Sequence, residues 1–184
     1  MPIGSYALTF NIAHEIWKKK PKRVLDLGVG LGMTGVLVRS YTDDLGKAPW
    51  KTVLHGVEGF PDYRTGVWDI YDKVYIEGIK EWLDNTPDIT YDMIIMSDVI
   101  EHFEKEEGFA IAKLLMTRLN PGGVVLIGTP GIFQEQDAAH GNEYERHRSA
   151  WKATEFPMGY TILQNGSPDS VGNMMILVKY IRPL

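Results

Sequence analysis

Three histidines stand among acids and aromatics in two short stretches of the chain: His102 in DVIEHF, and His140 and His147 in HGNEYERHRSAW. Histidine is the side chain that most readily takes a proton near neutral pH, so each is a candidate general base for a hydroxyl. His102 also has a plainer reading, as an imidazole that pins a loop through a hydrogen bond. Asp98, just before it, joins the candidate catalytic set. Around the later pair, Tyr144, Arg146, Arg148 and Trp151 offer contacts for a polar acceptor, although Trp151 reads equally well as core. His140, Glu143 and His147 are a conceivable metal set. No further motif supports one, and a cysteine-free chain has no thiolate ligands, so no metal is expected.

A second group of residues points to a bound cofactor. In VLDLGVGLGMTG (Val24–Gly35) an apolar run carries one acid, Asp26, and then Gly28, Gly30 and Gly32. A buried acid is costly without a partner, and clustered glycine is costly unless the backbone needs φ > 0 or a close approach. The stretch also fits the dinucleotide pattern GxGxxG over Gly30–Gly35, and a plain strand–helix turn explains the glycines too. Further on, VLHGVEGF places Glu58 and Gly59 at the end of a second apolar run, where a carboxylate can accept both hydroxyls of a ribose. NAD and S-adenosylmethionine both carry that ribose. Asp26 favours the second, because an acid before the glycine loop suits a cationic sulfonium and ammonium better than a pyrophosphate.

These residues need a scaffold, and the hydrophobic spacing supplies one. Helical periodicity covers Ser5–Lys19, with Leu8, Ile12, Ile16 and Trp17 on one side. Strands are expected over Arg23–Leu27, Thr52–Val57, Lys73–Ile76, Thr90–Asp98, Val124–Thr129, Tyr160–Gln164 and Asn173–Tyr180. Helices are expected over Met33–Ser40, Asp62–Ile70, Ile79–Leu83, Lys105–Leu119 and, capped by Ser149, Ala150–Phe156. NPGG (Asn120–Gly123) stops the long helix, and NGSPDSVG joins the last two strands as an antiparallel pair. Alternating strands and helices with near-continuous apolar strands mean an α/β fold, a mostly parallel seven-stranded sheet with helices on both faces. In such sheets ligands sit beyond the carboxyl ends of the strands, where the glycines and Glu58 lie. The polar segment 132–148 is too polar for core and long for a connector, and reads as a lid on the acceptor side.

Composition narrows the class. At 184 residues, 44% hydrophobic and 23% charged, the chain reads as one soluble globular domain, 1–184, with an N-terminal helical segment over 1–21. The net charge of −5 disfavours a duplex nucleic-acid partner. No membrane span or signal peptide is evident, and the absence of cysteine fits the cytoplasm.

VLDLGVGLG, VEGF, SDVIEHF and LNPGGVVLIGTP, in this order and spacing, resemble the class I S-adenosylmethionine-dependent methyltransferases. With TPG…HGNEYERHRSAW they are similar to small bacterial and archaeal members associated with glycan or secondary metabolism. The resemblance implies a Rossmann-like, doubly wound fold and S-adenosylmethionine as donor. It places Gly28, Gly30 and Gly32 against the methionine moiety and has Asp26 orient the loop and the donor's ammonium. Glu58 would bind the ribose, Gly59 or Phe60 would lie beside the adenine, and Ile79 would supply an apolar contact. The family's acid for the adenine amino group falls at Gly78, with Glu77 one residue early. Asp98 and Val99 would border the methionine part and the acceptor. The implied reaction is in-line methyl transfer to a small molecule, most simply a hydroxyl of a sugar, glycan precursor or metabolite. So short a chain leaves an open site, whose walls a homodimer would complete. The rivals are a non-catalytic nucleoside-binding protein on the same fold and a nicotinamide-dependent dehydrogenase, which Asp26 opposes.

Overall fold

In the computed structural model, residues 5–43, 48–86, 88–139, 141–165 and 175–184 are described. The chain runs α1 (Tyr6–Lys19), β1 (Arg23–Leu27), α2 (Met33–Thr42), β2 (Val53–Glu58), β3 (Lys73–Ile76), α3 (Ile79–Asn85), β4 (Tyr91–Ser97), α4 (Lys105–Thr117), β5 (Leu119–Pro130), β6 (Thr161–Asn165) and β7 (Met175–Ile181). The strands form a seven-stranded sheet in the order β3-β2-β1-β4-β5-β7-β6. The first five are mutually parallel, and β7 runs antiparallel to both β5 and β6. Strand order reverses between β1 and β4, so a crevice opens beyond Leu27 and Ser97.

The strand pattern explains the two-sided core. Val24, Met93, Ile95, Val124 and Leu126 pack with Leu8, Ile12 and Ile16 of α1 and Val38 of α2. Their neighbours Leu25, Leu27, Ile94, Met96, Val125 and Ile127 pack with Trp82 and Leu83 of α3 and Ile111 and Leu115 of α4. Alternate residues thus serve opposite faces, which is why these strands read as unbroken apolar runs. α1 stops at Lys20, which is left-handed (φ 46°) and returns its N–H to the Ile16 carbonyl before Pro21. Trp17, expected on the buried side of α1, is 55% exposed.

Local differences from the expected elements have local causes. Asp62–Ile70 is not one helix but two 3-10 turns, Pro61–Tyr63 and Gly66–Ile70, because Thr65 is extended and accepts the Val67 N–H. Ala150–Phe156 reduces to one turn, Ala153–Glu155. Ser149 does not cap it, since its Oγ accepts from the Trp151 indole N–H at 2.9 Å, and Pro157 biases Phe156 toward extended backbone. α4 ends at Thr117, and β5 begins at Leu119 and takes in the NPGG segment. The connection between β6 and β7, residues 166–174, lies outside the described residues, and with it the first two residues of the strand expected over Asn173–Tyr180. Among the described residues no helix is long and apolar enough to cross a membrane.

Candidate functional site

β1 ends in a loop that glycine makes feasible. Gly28, Gly30 and Gly32 all have positive φ (80°, 52° and 93°), and the Gly28 N–H reaches the Val57 carbonyl at 2.9 Å. A side chain at Gly28 would press on Val99 beyond β4, with only 2.4 Å between its Cβ and Val99 Cγ2. Two acids organise this loop, and they do so differently.

Asp26 is buried and turned inward. Its carboxylate accepts from the Tyr71 hydroxyl at 2.6 Å, and that hydroxyl in turn accepts the Gly35 N–H at 2.9 Å. Tyr71 thereby ties β1 to the first turn of α2. Burial, with Glu58 nearby, pushes the Asp26 carboxyl up to about 7, although the Tyr71 and Thr34 hydroxyls oppose the rise. Asp26 does not line the cavity described below, and in this arrangement its carboxylate supports the glycine loop through Tyr71. The reason is geometric: in a two-sided sheet a strand residue points into a face, and the Tyr71 ring occupies that face.

Glu58 faces the other way. Its two oxygens accept the Gly30 N–H (2.8 Å) and the Phe60 N–H (2.9 Å), fixing the carboxylate between the glycine loop and the end of β2. Burial raises its pKa, and these N–H groups counter the rise. The Trp68 indole donates to the Gly30 carbonyl at 2.8 Å and holds the loop from outside.

Together these elements line a cavity of about 640 Å³, within the roughly 300–1,000 Å³ of small-molecule sites. Gly28, Gly30, Glu58, Gly59, Gly78, Ile79, Asp98 and Val99 line it, as do His102, Tyr144, His147 and Arg148. Gly32, Phe60, Glu77, Arg146 and Trp151 do not. Gly32 packs on Val67 and Trp68, and Phe60 lies edge-on to Tyr63 at 4.9 Å. Arg146 is pinned outside by Asp137 and Glu143. Trp151 is 1% exposed and belongs to the core, beside Phe156. Near the position where an acid is expected at Glu77 or Gly78, Glu81 in the first turn of α3 folds its carboxylate over Gly78 and lines the cavity.

Segment 132–148 packs across the cavity and is tied to it on both sides. The Arg148 and Ser149 N–H groups donate to the Glu101 carbonyl at 2.8 and 3.0 Å, and the Tyr63 hydroxyl donates to Glu145 at 2.9 Å. Tyr144 sits on Gly59, where a Cβ would come within 2.7 Å of its ring, so it covers the Glu58 side of the cavity. The Arg148 guanidinium donates to the carbonyls of His102, Arg146 and Glu143. His140 lies outside the described residues, and with it the set His140, Glu143 and His147; Glu143 itself is engaged by Arg146.

The histidines meet here. His102 and His147 lie edge to face, 4.9 Å between ring centroids. His102 Nδ1 is 3.2 Å from the Arg146 carbonyl and Nε2 is 3.2 Å from the Asp98 carbonyl, which is the loop-pinning arrangement. Burial, then His147, lowers its pKa, against the pull of those carbonyls. His147 Nδ1 is 2.7 Å from the Gln134 carbonyl. The Asp98 carboxylate accepts from the Ser5 N–H (2.7 Å) and hydroxyl (2.9 Å), fastening the start of α1 to the end of β4. Beside it, Glu101 is buried with Thr129 donating to it at 2.9 Å, and burial plus the Asp98 charge push its carboxyl up to about 8. Glu101, Tyr71 and Glu81 are the residues that pattern reading missed. Only Glu101, next to His102, had a signal in the sequence.

A glycine loop at the switch point, an acid ending β2 and an antiparallel C-terminal strand pair define a class I, S-adenosylmethionine-dependent methyltransferase fold. The family model described as a methyltransferase domain matches residues 7–157, and the chain belongs to that family. None of the curated proteins compared with the chain matches it. Among solved structures it is similar to an O-methyltransferase family protein from Burkholderia thailandensis (TM-score 0.65, 13% identity), covering 96% of this chain and 55% of that one. It therefore spans about half the length of that relative. It is also similar to a SAM-dependent methyltransferase from Archaeoglobus fulgidus (TM-score 0.63, 16% identity, 96% and 93% covered). A third is the O-methyltransferase from Bacillus cereus in complex with SAH (TM-score 0.59, 13% identity, 97% and 82% covered).

Proposed function

We propose that the cavity binds S-adenosylmethionine and passes its methyl group to a hydroxyl of a small molecule such as a sugar, a glycan precursor or another metabolite. The observation that carries the donor reading is Glu58, fixed by two main-chain N–H groups yet lining the cavity. Each oxygen keeps a lone pair for a ribose hydroxyl, and a charged acceptor makes such bonds strong. Gly28 and Gly30 admit the donor close to the main chain, while Ile79, Tyr144 and Glu81 supply the apolar contacts and the acid an adenine requires. The sulfonium supplies an activated methyl. The chain itself has to hold donor and acceptor in line, an orientation worth roughly 7–11 kcal/mol in favourable cases.

The acceptor enters under 132–148, and its hydroxyl proton is handled at the His102–His147 pair. Asp98 positions α1 at this edge of the cavity. We place the reaction in the cytoplasm, in keeping with a cysteine-free chain.

Calorimetry of the purified protein with S-adenosylmethionine, S-adenosylhomocysteine and NAD tests the donor. The first two bind and NAD does not. Glu58→Gln loses at least about tenfold in affinity, since a hydrogen bond to a charged group is worth about 1.5–3 kcal/mol. Binding of NAD alone, or full affinity in Glu58→Gln, refutes the reading. Donor binding without turnover on any sugar or polyol acceptor would favour a nucleoside-binding protein.

A further inference from the structure

We propose that Glu101, His102 and His147 form a site for one divalent first-row transition ion, which activates the acceptor hydroxyl beside the donor. One ligand atom from each residue lies within 4.8 Å of the other two. Ligands about 2.0–2.2 Å from a shared ion lie roughly 3–4.4 Å apart, so side-chain rotation of a few tenths of an ångström closes the set. All three residues line the cavity.

Each ligand is already oriented through its other polar atom, as metal ligands require. His147 Nδ1, 2.7 Å from the Gln134 carbonyl, must carry the proton, which leaves the lone pair on Nε2. Thr129 holds one oxygen of Glu101. A neutral His102 ring has one proton for two carbonyls, Arg146 at Nδ1 and Asp98 at Nε2, both 3.2 Å away, and in the tautomer that donates to Arg146 the Nε2 lone pair faces the Asp98 carbonyl oxygen. Two lone pairs at that distance repel each other. A cation between them turns the repulsion into two ligand bonds, because neighbouring ligands at right angles around one ion are roughly 3 Å apart. The Glu101 carbonyl, accepting the Arg148 and Ser149 N–H groups, locks the turn that carries Glu101 and His102 against the segment that carries His147.

Two imidazoles and one carboxylate select Mn²⁺, Fe²⁺, Co²⁺, Ni²⁺ or Zn²⁺ over Mg²⁺ and Ca²⁺, which prefer oxygen alone. The wall also favours a cation, since Glu81, Asp98, Glu143 and Glu145 line the cavity while the Arg148 guanidinium is engaged by three carbonyls and the Lys80 ammonium by Asp84.

This deepens the proposed function and rests on it for the chemistry: the His102–His147 pair handles the hydroxyl proton through the ion it holds, not by taking the proton itself. A coordinated hydroxyl loses its proton to solvent at a lower pH than a free one. Its oxygen then attacks the methyl carbon. The O–C bond forms as the C–S bond breaks, and the electron pair stays on sulfur, leaving a neutral thioether.

The test uses the whole chain, stripped with EDTA and titrated with Co²⁺, followed by visible absorption and calorimetry, with Mg²⁺ as comparison. One Co²⁺ binds per chain and develops ligand-field bands, and Mg²⁺ does not displace it. Glu101→Gln, which keeps the Thr129 bond, and His147→Gln each weaken Co²⁺ by about 100-fold or more, at least the loss seen when supporting groups of metal sites are removed. Unchanged far-UV circular dichroism and cooperative thermal unfolding in both variants show that they remain folded. Absence of saturable Co²⁺ binding, or binding that neither variant moves, overturns the site. If S-adenosylhomocysteine binds and Co²⁺ does not, the metal inference fails alone. The reverse result fails the donor reading alone.

Discussion

Replacing Gly28 with alanine probes the junction on which the cavity is built. The backbone there has φ +80°, and the new Cβ would lie 2.4 Å from Val99 Cγ2. The left-handed conformation costs an alanine about 1–2 kcal/mol. Overpacking a filled site costs about 1–3 kcal/mol more. The total, about 2–5 kcal/mol, corresponds to a fall in Tm of roughly 4–20 °C for a domain of this size. Urea denaturation of the wild type, Gly28→Ala, Val99→Ala and the double variant separates the two contributions. In the Val99→Ala background the steric part vanishes, and Gly28→Ala costs only the backbone part of about 1–2 kcal/mol. Donor affinity falls in Gly28→Ala and partly returns in the double variant. An unchanged Gly28→Ala stability, or the same cost in both backgrounds, refutes the argument that β1 and β4 abut at this glycine.

Tyr71→Phe removes the hydroxyl shared by Asp26 and the Gly35 N–H, leaving that buried N–H without its acceptor and Asp26 with Thr34 alone, at a cost of about 1–3 kcal/mol by chemical denaturation; no loss would mean that the bridge is unnecessary. Asp26 titrates near 7 in the folded protein against an ordinary 3.8, so the folded state holds this proton more tightly. Its contribution is complete below the ordinary pKa and is lost as pH rises through about 7. The unfolding free energy of the wild type, measured against Asp26→Asn, therefore declines between about pH 4 and 7 and is level above; a difference that rises with pH contradicts the burial argument.

The sequence alone determined the sheet and the place of the site. Apolar runs such as MIIM in β4 are long enough to bury both faces of a strand, and the run before Gly28 must end where glycine lets the chain turn. Hydrophobic spacing along one segment carries that information, because strand and helix periods are local. Glu58 was legible for the same reason: it closes an apolar run and a glycine follows. Element ends were less so, since Thr65 and the Trp151–Ser149 bond broke helices that periodicity alone would extend.

Which way a side chain faces, and what it meets, only the tertiary structure decided. Asp26 turns from the cavity because Tyr71, distant in sequence, fills the space beneath the loop. Tyr144 covers Gly59 because the segment bearing it is anchored through Glu101 and Tyr63. Glu81 lines the cavity where Glu77 does not, because the first turn of α3 brings its carboxylate back over Gly78. His102 and His147 become neighbours only when that segment closes on the turn after β4. Such pairings depend on contacts across the fold, and residue type and spacing along the chain do not encode them.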